Sequence, residues 1–203
     1  RIGLDDAIVT LGDARGTGKL TAALGGRVLI KSDLKISRID LDRWLAMQAA
    51  DKPAGGTGKS PKGGAEPAAS SAPGFSLPTG LDASLNTSIE AVTLYGSQIR
   101  RVRFNAALAE GELTLNQVSA RLPGNADFSL FGFLSTPDGQ PKFDGTVDTR
   151  ADNLRDVLTW LGVDTSDVPV DRLRRFTLAG KLRLDESLVH LLDARVRLDS
   201  SRL

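Results

Sequence analysis

One pattern occurs twice in this chain: an alternating strand segment runs directly into a short helical turn rich in Asp and Leu. It reads IDLDRWL at 39–45 and ADNLRDVLTWL at 151–161. A chain that repeats one strand-to-helix unit is usually built by stacking elements side by side. The pattern therefore favours an elongated β architecture over an enzyme built around a pocket.

The charge balance argues against one large class of partner. Among 203 residues, 26 Lys and Arg nearly cancel 25 Asp and Glu, and the charges alternate along strands instead of clustering. Binding of DNA or RNA requires a concentrated positive surface. We therefore expect no nucleic-acid partner.

The chain has no cysteine, which excludes disulfides, a thiol nucleophile and Cys-ligated metals. Its longest apolar stretches, 128–135 and 157–163, are far shorter than the roughly 18 residues of a membrane span. The chain also begins without Met and without a signal-peptide pattern. These features predict a soluble or peripheral fragment of a longer protein.

Residues 51–74 contain no Val, Ile, Leu, Met or aromatic residue and hold four of the nine prolines. Such a segment buries too little apolar surface to offset its ordering entropy. We predict a disordered linker or loop insertion at 51–76. It separates a first β-meander segment with a terminal short helix, 1–50, from a second at 77–203.

The remaining segments predict a mainly β fold: an antiparallel, twisted open sheet or groove of β-meanders with two or three short helices. Period-two alternation and turn signals predict the strands. They lie at 7–12, 20–24, 27–39, 81–94, 99–109, 112–122, 126–135, 142–150, 176–185 and 188–199. Helices are expected at 42–50 and 153–161, a turn or short helix near 169–175, and a turn at RGTGKL (15–20). Asp40 or Asp42 is expected to cap the first helix, Asp152 the second, and Asp171 the segment that follows it.

Alternation is clear near the C-terminus, where Leu192, Ala194, Val196 and Leu198 share one predicted face. Many strands with one apolar face together form a wide apolar surface that must be covered, and short helices cover little of it. Either the sheet folds on itself or its apolar face binds something. The strand at 128–134 is apolar on both faces, which predicts either a central strand covered by a helix, such as the one at 153–161, or a strand lining a groove.

The motifs that could indicate catalysis or the binding of phosphate or metal are weak. GGTGKS (55–60) resembles the end of a phosphate-binding loop, but no strand precedes it and no helix follows, so we interpret it as linker. His190 is the only histidine and has no nucleophile motif beside it, which favours a structural role over a general base. Asp164, Asp167 and Asp171 lack calcium-loop spacing. We expect no catalytic residue, no metal and no cofactor.

Several phrases together resemble the AsmA family of bacterial envelope proteins. They are KISRIDLDRWL (35–45), ALAEGELTLNQVSARLPGNADFSLFGFL (107–134), FDGTVDTRADNLRDVLTWLG (143–162) and LLDARVRLDSSRL (191–203). The family's cadence is "G-x-L-x-L", then "L-x-A-x-L-P-G", alternating with "D-L-x-x-L-L" turns. The resemblance covers most of the chain outside the linker, and its motifs carry no active-site residue.

The resemblance implies a long open sheet with a hydrophobic groove, in the periplasm of a Gram-negative bacterium and anchored in the inner membrane by a helix outside this chain. It implies binding or bridging of phospholipid, or another acyl-chain lipid, in support of outer-membrane assembly and homeostasis. The expected partners are such lipids and envelope proteins, with membrane contact through other parts of the parent protein.

On this hypothesis a set of alternating apolar residues lines the groove. The candidate lining residues are Val102, Phe104, Leu113, Leu115, Phe128, Leu130, Leu182, Leu184, Val196 and Leu198. A bulge between Leu115 and Val118 is expected to shift the alternation there. The alternative function is a non-catalytic assembly module that engages client proteins by strand pairing at its sheet edges.

Overall fold

A computed structural model of the chain describes residues 2–11, 14–50, 76–185, 188–199 and 201–202. The predicted linker and GGTGKS lie almost entirely outside these residues. The described strands are β1 (Ile2–Leu11), β2 (Ala14–Ala23), β3 (Val28–Asp40), β4 (Leu81–Leu94), β5 (Ser97–Ala109), β6 (Glu112–Leu122), β7 (Ala126–Ser135), β8 (Lys142–Ala151), β9 (Phe176–Asp185), β10 (Leu188–Leu198) and β11 (Ser201–Arg202). The described α-helices are α1 (Leu41–Ala50) and α2 (Leu154–Trp160), and one 3-10 turn spans Pro137–Gly139.

The described strands form one open 11-stranded sheet in which the spatial order equals the chain order, β1 to β11. The mainly β fold with short helices is therefore confirmed. Every neighbouring pair is antiparallel except β3 and β4, which run parallel with Val28 opposite Leu81. This parallel pair departs from the expected antiparallel meander. Between β3 and β4 the chain contains α1 and a long segment, which is enough to return to the end of the sheet where β3 begins and start a parallel strand.

Local sequence determines two of the tight turns. Tyr95 and Gly96 both have positive φ angles, as do Glu110 and Gly111. Two consecutive residues of this kind form the tight turn whose twist matches that of the flanking strands. β4–β5 and β5–β6 are consequently tight hairpins.

One local prediction holds in part and another is wrong. The segment 169–175, predicted as a turn or short helix, contains turns and bends and no helix. The segment RGTGKL lies inside β2 rather than in a turn. Gly18 allows close packing of the strands, since a Cβ there would clash with the carbonyl oxygen of Asp33 on β3.

No second layer covers the described sheet, and the packing reflects this. Its buried apolar residues are few, with Phe143 the largest at 8% exposed. The expectation that a helix covers β7 is also wrong, because Phe131 and Phe133 are each 54% exposed. None of the described helices has the length and apolar character needed to cross a membrane.

Candidate functional site

The strand registers sort the side chains into an apolar face and a polar face. Residues directly opposite each other on neighbouring strands share a face, so three rows of the apolar face can be followed across the sheet. Row 1 is Ile2, Ala22, Ile30, Ala83, Leu108, Leu113, Leu134, Phe143, Leu184 and Val189. Row 2 is Leu4, Leu20, Ser32, Leu85, Ala106, Leu115, Gly132, Gly145, Leu182 and Leu191. Row 3 is Gly18, Leu34, Thr87, Phe104, Val118, Leu130, Val147 and Gly180.

The three rows contain no charged residue, and Ser32 and Thr87 are their only hydroxyl-bearing members. Rows 1 and 2 each cross the sheet from β1 to β10. At about 4.8 Å between neighbouring strands, each row is roughly 43 Å long. The apolar face is thus a continuous surface whose long direction crosses the strands.

All ten predicted lining residues lie on the apolar face. Phe104 and Leu130 belong to row 3, Leu113 and Leu184 to row 1, and Leu115 and Leu182 to row 2. The other four lie in neighbouring positions: Val102 opposite Ile89, Phe128 opposite Ala120, Val196 opposite Leu178, and Leu198 opposite Phe176. Nine are half-buried, and Leu184 is 37% exposed. The sheet therefore brings together residues that are up to 96 positions apart in the chain.

The apolar face also contains residues that the sequence-based list missed. Its first four strands add Leu20, Ile30, Leu34 and Leu85, and the strand that follows β7 adds Phe143. The alternation of apolar residues at even positions of 28–36 is the signal that could have identified this part of the face.

The chain matches no protein-family model, no curated protein and no solved structure. The resemblance to the AsmA family therefore rests on the sequence motifs alone.

Bulges in the strands change which residues of an alternating segment point to the apolar face. The register shifts between Leu115 and Val118, where the sequence predicts a bulge. A second shift lies between Leu192 and Arg195, and Asp193 there has a φ of 52°. As a result Leu192 lies opposite Lys181 on the polar face, while Val196 lies opposite Leu178 on the apolar face. The prediction that Leu192 and Val196 share a face is wrong for this reason.

The helices lie at one end of the strands, and they meet at the β4–β5 turn. On α1, the Asp42 carboxylate accepts hydrogen bonds from the backbone N–H groups of Tyr95 at 2.7 Å and Gly96 at 2.8 Å. On α2, the Trp160 indole N–H donates to the carbonyl oxygen of Leu94 at 2.8 Å. The Tyr95 and Trp160 rings have centroids 6.3 Å apart. The repeated strand-to-helix pattern thus builds one border of the apolar face.

The caps at this border differ in part from the predicted ones. Asp40 accepts a hydrogen bond from the N–H of Arg43 at 2.9 Å, which confirms it as the cap of α1. Asp152 does not cap α2, whose N-cap is Asn153 without a side-chain hydrogen bond; Asp152 instead accepts a hydrogen bond from the Asn125 side chain.

Asp199, rather than Asp171, binds the segment before β9. Its carboxylate accepts the N–H groups of Leu173 at 3.1 Å, Arg174 at 2.9 Å and Arg175 at 3.0 Å. Desolvation is the largest single influence and raises the pKa of Asp199, but the three N–H donors together outweigh it, so the pKa lies below its usual value. Hydrogen bonds to the charged form explain this direction.

The polar face carries cross-strand ion pairs. Arg183 and Asp144 are 2.9 Å apart, as are Lys181 and Asp193. The hydrogen bond and charge of Lys181 lower the pKa of the Asp193 carboxyl. His190 lies exposed on β10, opposite Arg183 on β9. Among the described residues no cluster of His, Asp and Glu side chains has an arrangement that holds a metal ion.

Proposed function

We propose that this chain is a periplasmic segment of an AsmA-like protein that binds or bridges phospholipid along its apolar face, in support of outer-membrane assembly. The observation that carries the proposal is the uncharged row of side chains that crosses the sheet with no second layer over it in the described part of the chain. An acyl chain needs a continuous apolar surface and no catalytic group. Each methylene that leaves water contributes about 0.8 kcal/mol.

The dimensions of the face support an acyl-chain ligand over a compact one. Rows 1 and 2 extend for roughly 43 Å, whereas one leaflet of a bilayer has a hydrocarbon thickness of about 15 Å. More than one acyl chain can therefore lie along the face in series. Such a length is suited to bridging and exceeds the need of a site for one small molecule.

The partial exposure of the face supports the same proposal. Leu20 is 40% exposed, Leu184 37% and Leu191 42%. A soluble protein rarely leaves a contiguous apolar surface of this extent in water, and such surfaces usually mark sites for ligands, membranes or other proteins.

A charge placed on the apolar face tests the proposal. Leu184→Glu alters an already half-exposed position in row 1, and Leu130→Glu alters the middle of row 3. Phe133→Glu is the matched control, because it puts the same charge on β7 but on the polar face, at a position that is 54% exposed. The delipidated chain and each variant are mixed with fluorescent phospholipid, and bound lipid is measured after separation from free lipid.

We expect the unsubstituted chain and Phe133→Glu to bind phospholipid, and the two apolar-face variants to lose most of that binding. Circular dichroism establishes that each variant is folded. The proposal fails if the delipidated chain never takes up phospholipid, or if Leu184→Glu and Leu130→Glu bind it as well as the control does.

The sheet edges favour a second candidate function, the capture of client proteins by strand pairing. On the edge strand β1, Ile2 is 62% and Ile8 74% exposed, and no described strand pairs with its outer side. A lysine on an edge strand opposes the addition of another strand. If Ile8→Lys abolishes the binding of an envelope protein while phospholipid binding is unchanged, the assembly function is favoured over lipid binding.

A further inference from the structure

The polar face carries a group of arginines from two neighbouring strands. Arg100 on β5 lies directly opposite Arg121 on β6, and Arg103 lies opposite Ser119, which is two residues from Arg121. Like charges placed directly opposite each other destabilise a sheet. Two neighbouring strands thus bring Arg121 beside Arg100 and Arg103, which lie 21 and 18 positions before it in the chain.

A bulge in β5 contributes the next member of the group. Between Arg100 and Arg103 the register with β6 shifts, and Arg101 has a φ of 52°. This left-handed conformation is uncommon for a residue other than glycine. Bulges bend a strand and change the direction of a side chain. Arg101 accordingly lines the same surface depression as Arg103 and Arg121, with a volume of about 190 Å³.

The positive charge in the depression is only partly neutralised. Arg121 forms an ion pair with Asp127 at 3.0 Å. Arg101 and Arg103 have no ion-pair or side-chain hydrogen-bond partner among the described residues, and both are exposed. On the same face, Lys181 and Arg183 each have an acidic partner at 2.9 Å. The two unpaired guanidinium groups therefore remain available to an anion.

We propose that this depression is a binding site for a phosphate group, with Arg101 and Arg103 as its main ligands and Arg121 as a third. A guanidinium presents planar, paired N–H donors that match two phosphate oxygens, and such charged hydrogen bonds are the strong ones. Asp127 opposes the anion, because its carboxylate lines the same depression and competes for Arg121.

Arg103 also indicates which kind of molecule carries the phosphate. It borders a second depression of about 150 Å³ on the same face, toward β3 and β4. The side chains there include those of Asp33, Asn86 and Gln117. These groups form hydrogen bonds rather than apolar contacts, so the part of the ligand next to the phosphate is polar.

The phosphate site goes beyond the proposed lipid-binding function and does not depend on it. It lies on the polar face, whereas acyl chains are proposed to lie on the apolar face. Its phosphate can belong to a lipid headgroup at a membrane surface or to a water-soluble phosphate compound. Two probes distinguish these sources: sodium pyrophosphate in solution, and vesicles of phosphatidylglycerol compared with vesicles of phosphatidylcholine.

The test compares the full 203-residue chain with three variants at low salt, by calorimetric titration for pyrophosphate and by flotation for vesicles. Arg101→Gln/Arg103→Gln removes the two main ligands. Arg38→Gln/Arg197→Gln is the matched control: it removes the same charge from two exposed arginines that do not line the depression. Asp127→Asn removes the opposing carboxylate.

We expect one or both probes to bind. The affinity should be about tenfold or more weaker in Arg101→Gln/Arg103→Gln. It should be tighter in Asp127→Asn and nearly unchanged in Arg38→Gln/Arg197→Gln. Binding of pyrophosphate identifies a soluble source, and binding of phosphatidylglycerol vesicles alone identifies a headgroup. If neither probe binds, or if both double variants weaken binding equally, the phosphate site is rejected. Uptake of fluorescent phospholipid by Arg101→Gln/Arg103→Gln is measured in parallel. Loss of phosphate binding with normal phospholipid uptake would then bear on the phosphate site alone and leave the lipid-binding proposal unaffected.

Discussion

The Asp42 carboxylate accepts a hydrogen bond from the backbone N–H of Tyr95 at 2.7 Å, although the two residues are 53 positions apart. The contact links the start of α1 to the β4–β5 turn. Because the N–H of Gly96 binds the same carboxylate, one side chain binds both central residues of the turn. The repeated Asp/Leu pattern therefore serves tertiary structure as well as helix formation.

Replacement of Asp42 by Ala removes both charged hydrogen bonds. A hydrogen bond to a charged group contributes about 1.5 to 3 kcal/mol where it is sheltered, and less near the surface. We expect Asp42→Ala to lower the free energy of unfolding by about 1 to 2 kcal/mol in urea titrations. Asp156→Ala is the control, since Asp156 is the acidic residue of the first turn of α2 and forms no described hydrogen bond. An equal loss in both variants would show that the contact to the turn contributes nothing.

Gly132 on β7 has no room for a side chain. A Cβ at this position would lie 2.5 Å from the carbonyl oxygen of Asp144 and 2.7 Å from the Phe143 ring. We expect Gly132→Ala to destabilise the fold by about 1 to 3 kcal/mol, the usual cost of overpacking. Gly3→Ala should have little effect, because no atom lies within 4 Å of the Cβ it would add. Similar urea midpoints for the two variants would contradict the close approach of β7 and β8.

Two phenylalanines should differ in their contribution to stability because they face opposite sides of the sheet. Phe143 is 8% exposed on the apolar face, whereas Phe133 is 54% exposed on the polar face. We expect Phe143→Ala to cost about 3 kcal/mol and Phe133→Ala less than about 1 kcal/mol. Thermal unfolding followed by circular dichroism measures both, and a larger loss in Phe133→Ala would mean that the assigned faces are inverted.

The stability that Asp199 contributes should depend on pH. Its pKa is lower in the folded state than in the unfolded chain, so the contribution is fully present above the unfolded pKa of about 3.9 and is lost as pH falls through the lower folded value. We expect Asp199→Asn to be less stable than the unsubstituted chain at pH 7, with a difference that shrinks below about pH 4.

Urea titrations at a series of pH values measure this difference. Asp171→Asn is the control, because the only described ion pair of Asp171 is with its neighbour Arg172 at 3.8 Å. A gap between Asp199→Asn and the unsubstituted chain that stays constant down to pH 3 would mean that the carboxylate charge is not what binds the three N–H groups.

The alternation of apolar and polar residues predicted many strands well, because this two-residue period can be recognised in each segment without knowledge of its neighbours. β6, β7 and β9 occupy the residues expected for them, and turns lie at Glu110–Gly111 and near Gly124–Asn125. The glycines of β2 resemble turn residues and led to the wrong prediction, whereas Gly18 lies where the strand approaches β3 closely. That close approach is visible only once β3 lies beside β2.

The sequence by itself determined which residues are able to form most of the strands and that most strands have one apolar side, because both follow from the two-residue period of a single chain segment. Only the tertiary structure decided that β3 pairs in parallel with β4, that the bulge at Asp193 moves Leu192 to the polar face, and that Arg101, Arg103 and Arg121 share one depression. Pairing, register and bulges depend on contacts between distant segments, and the sequence of either segment alone does not specify them. The two strand-to-helix units are evident in the chain, but their meeting at Tyr95 and Gly96 is a property of the folded sheet.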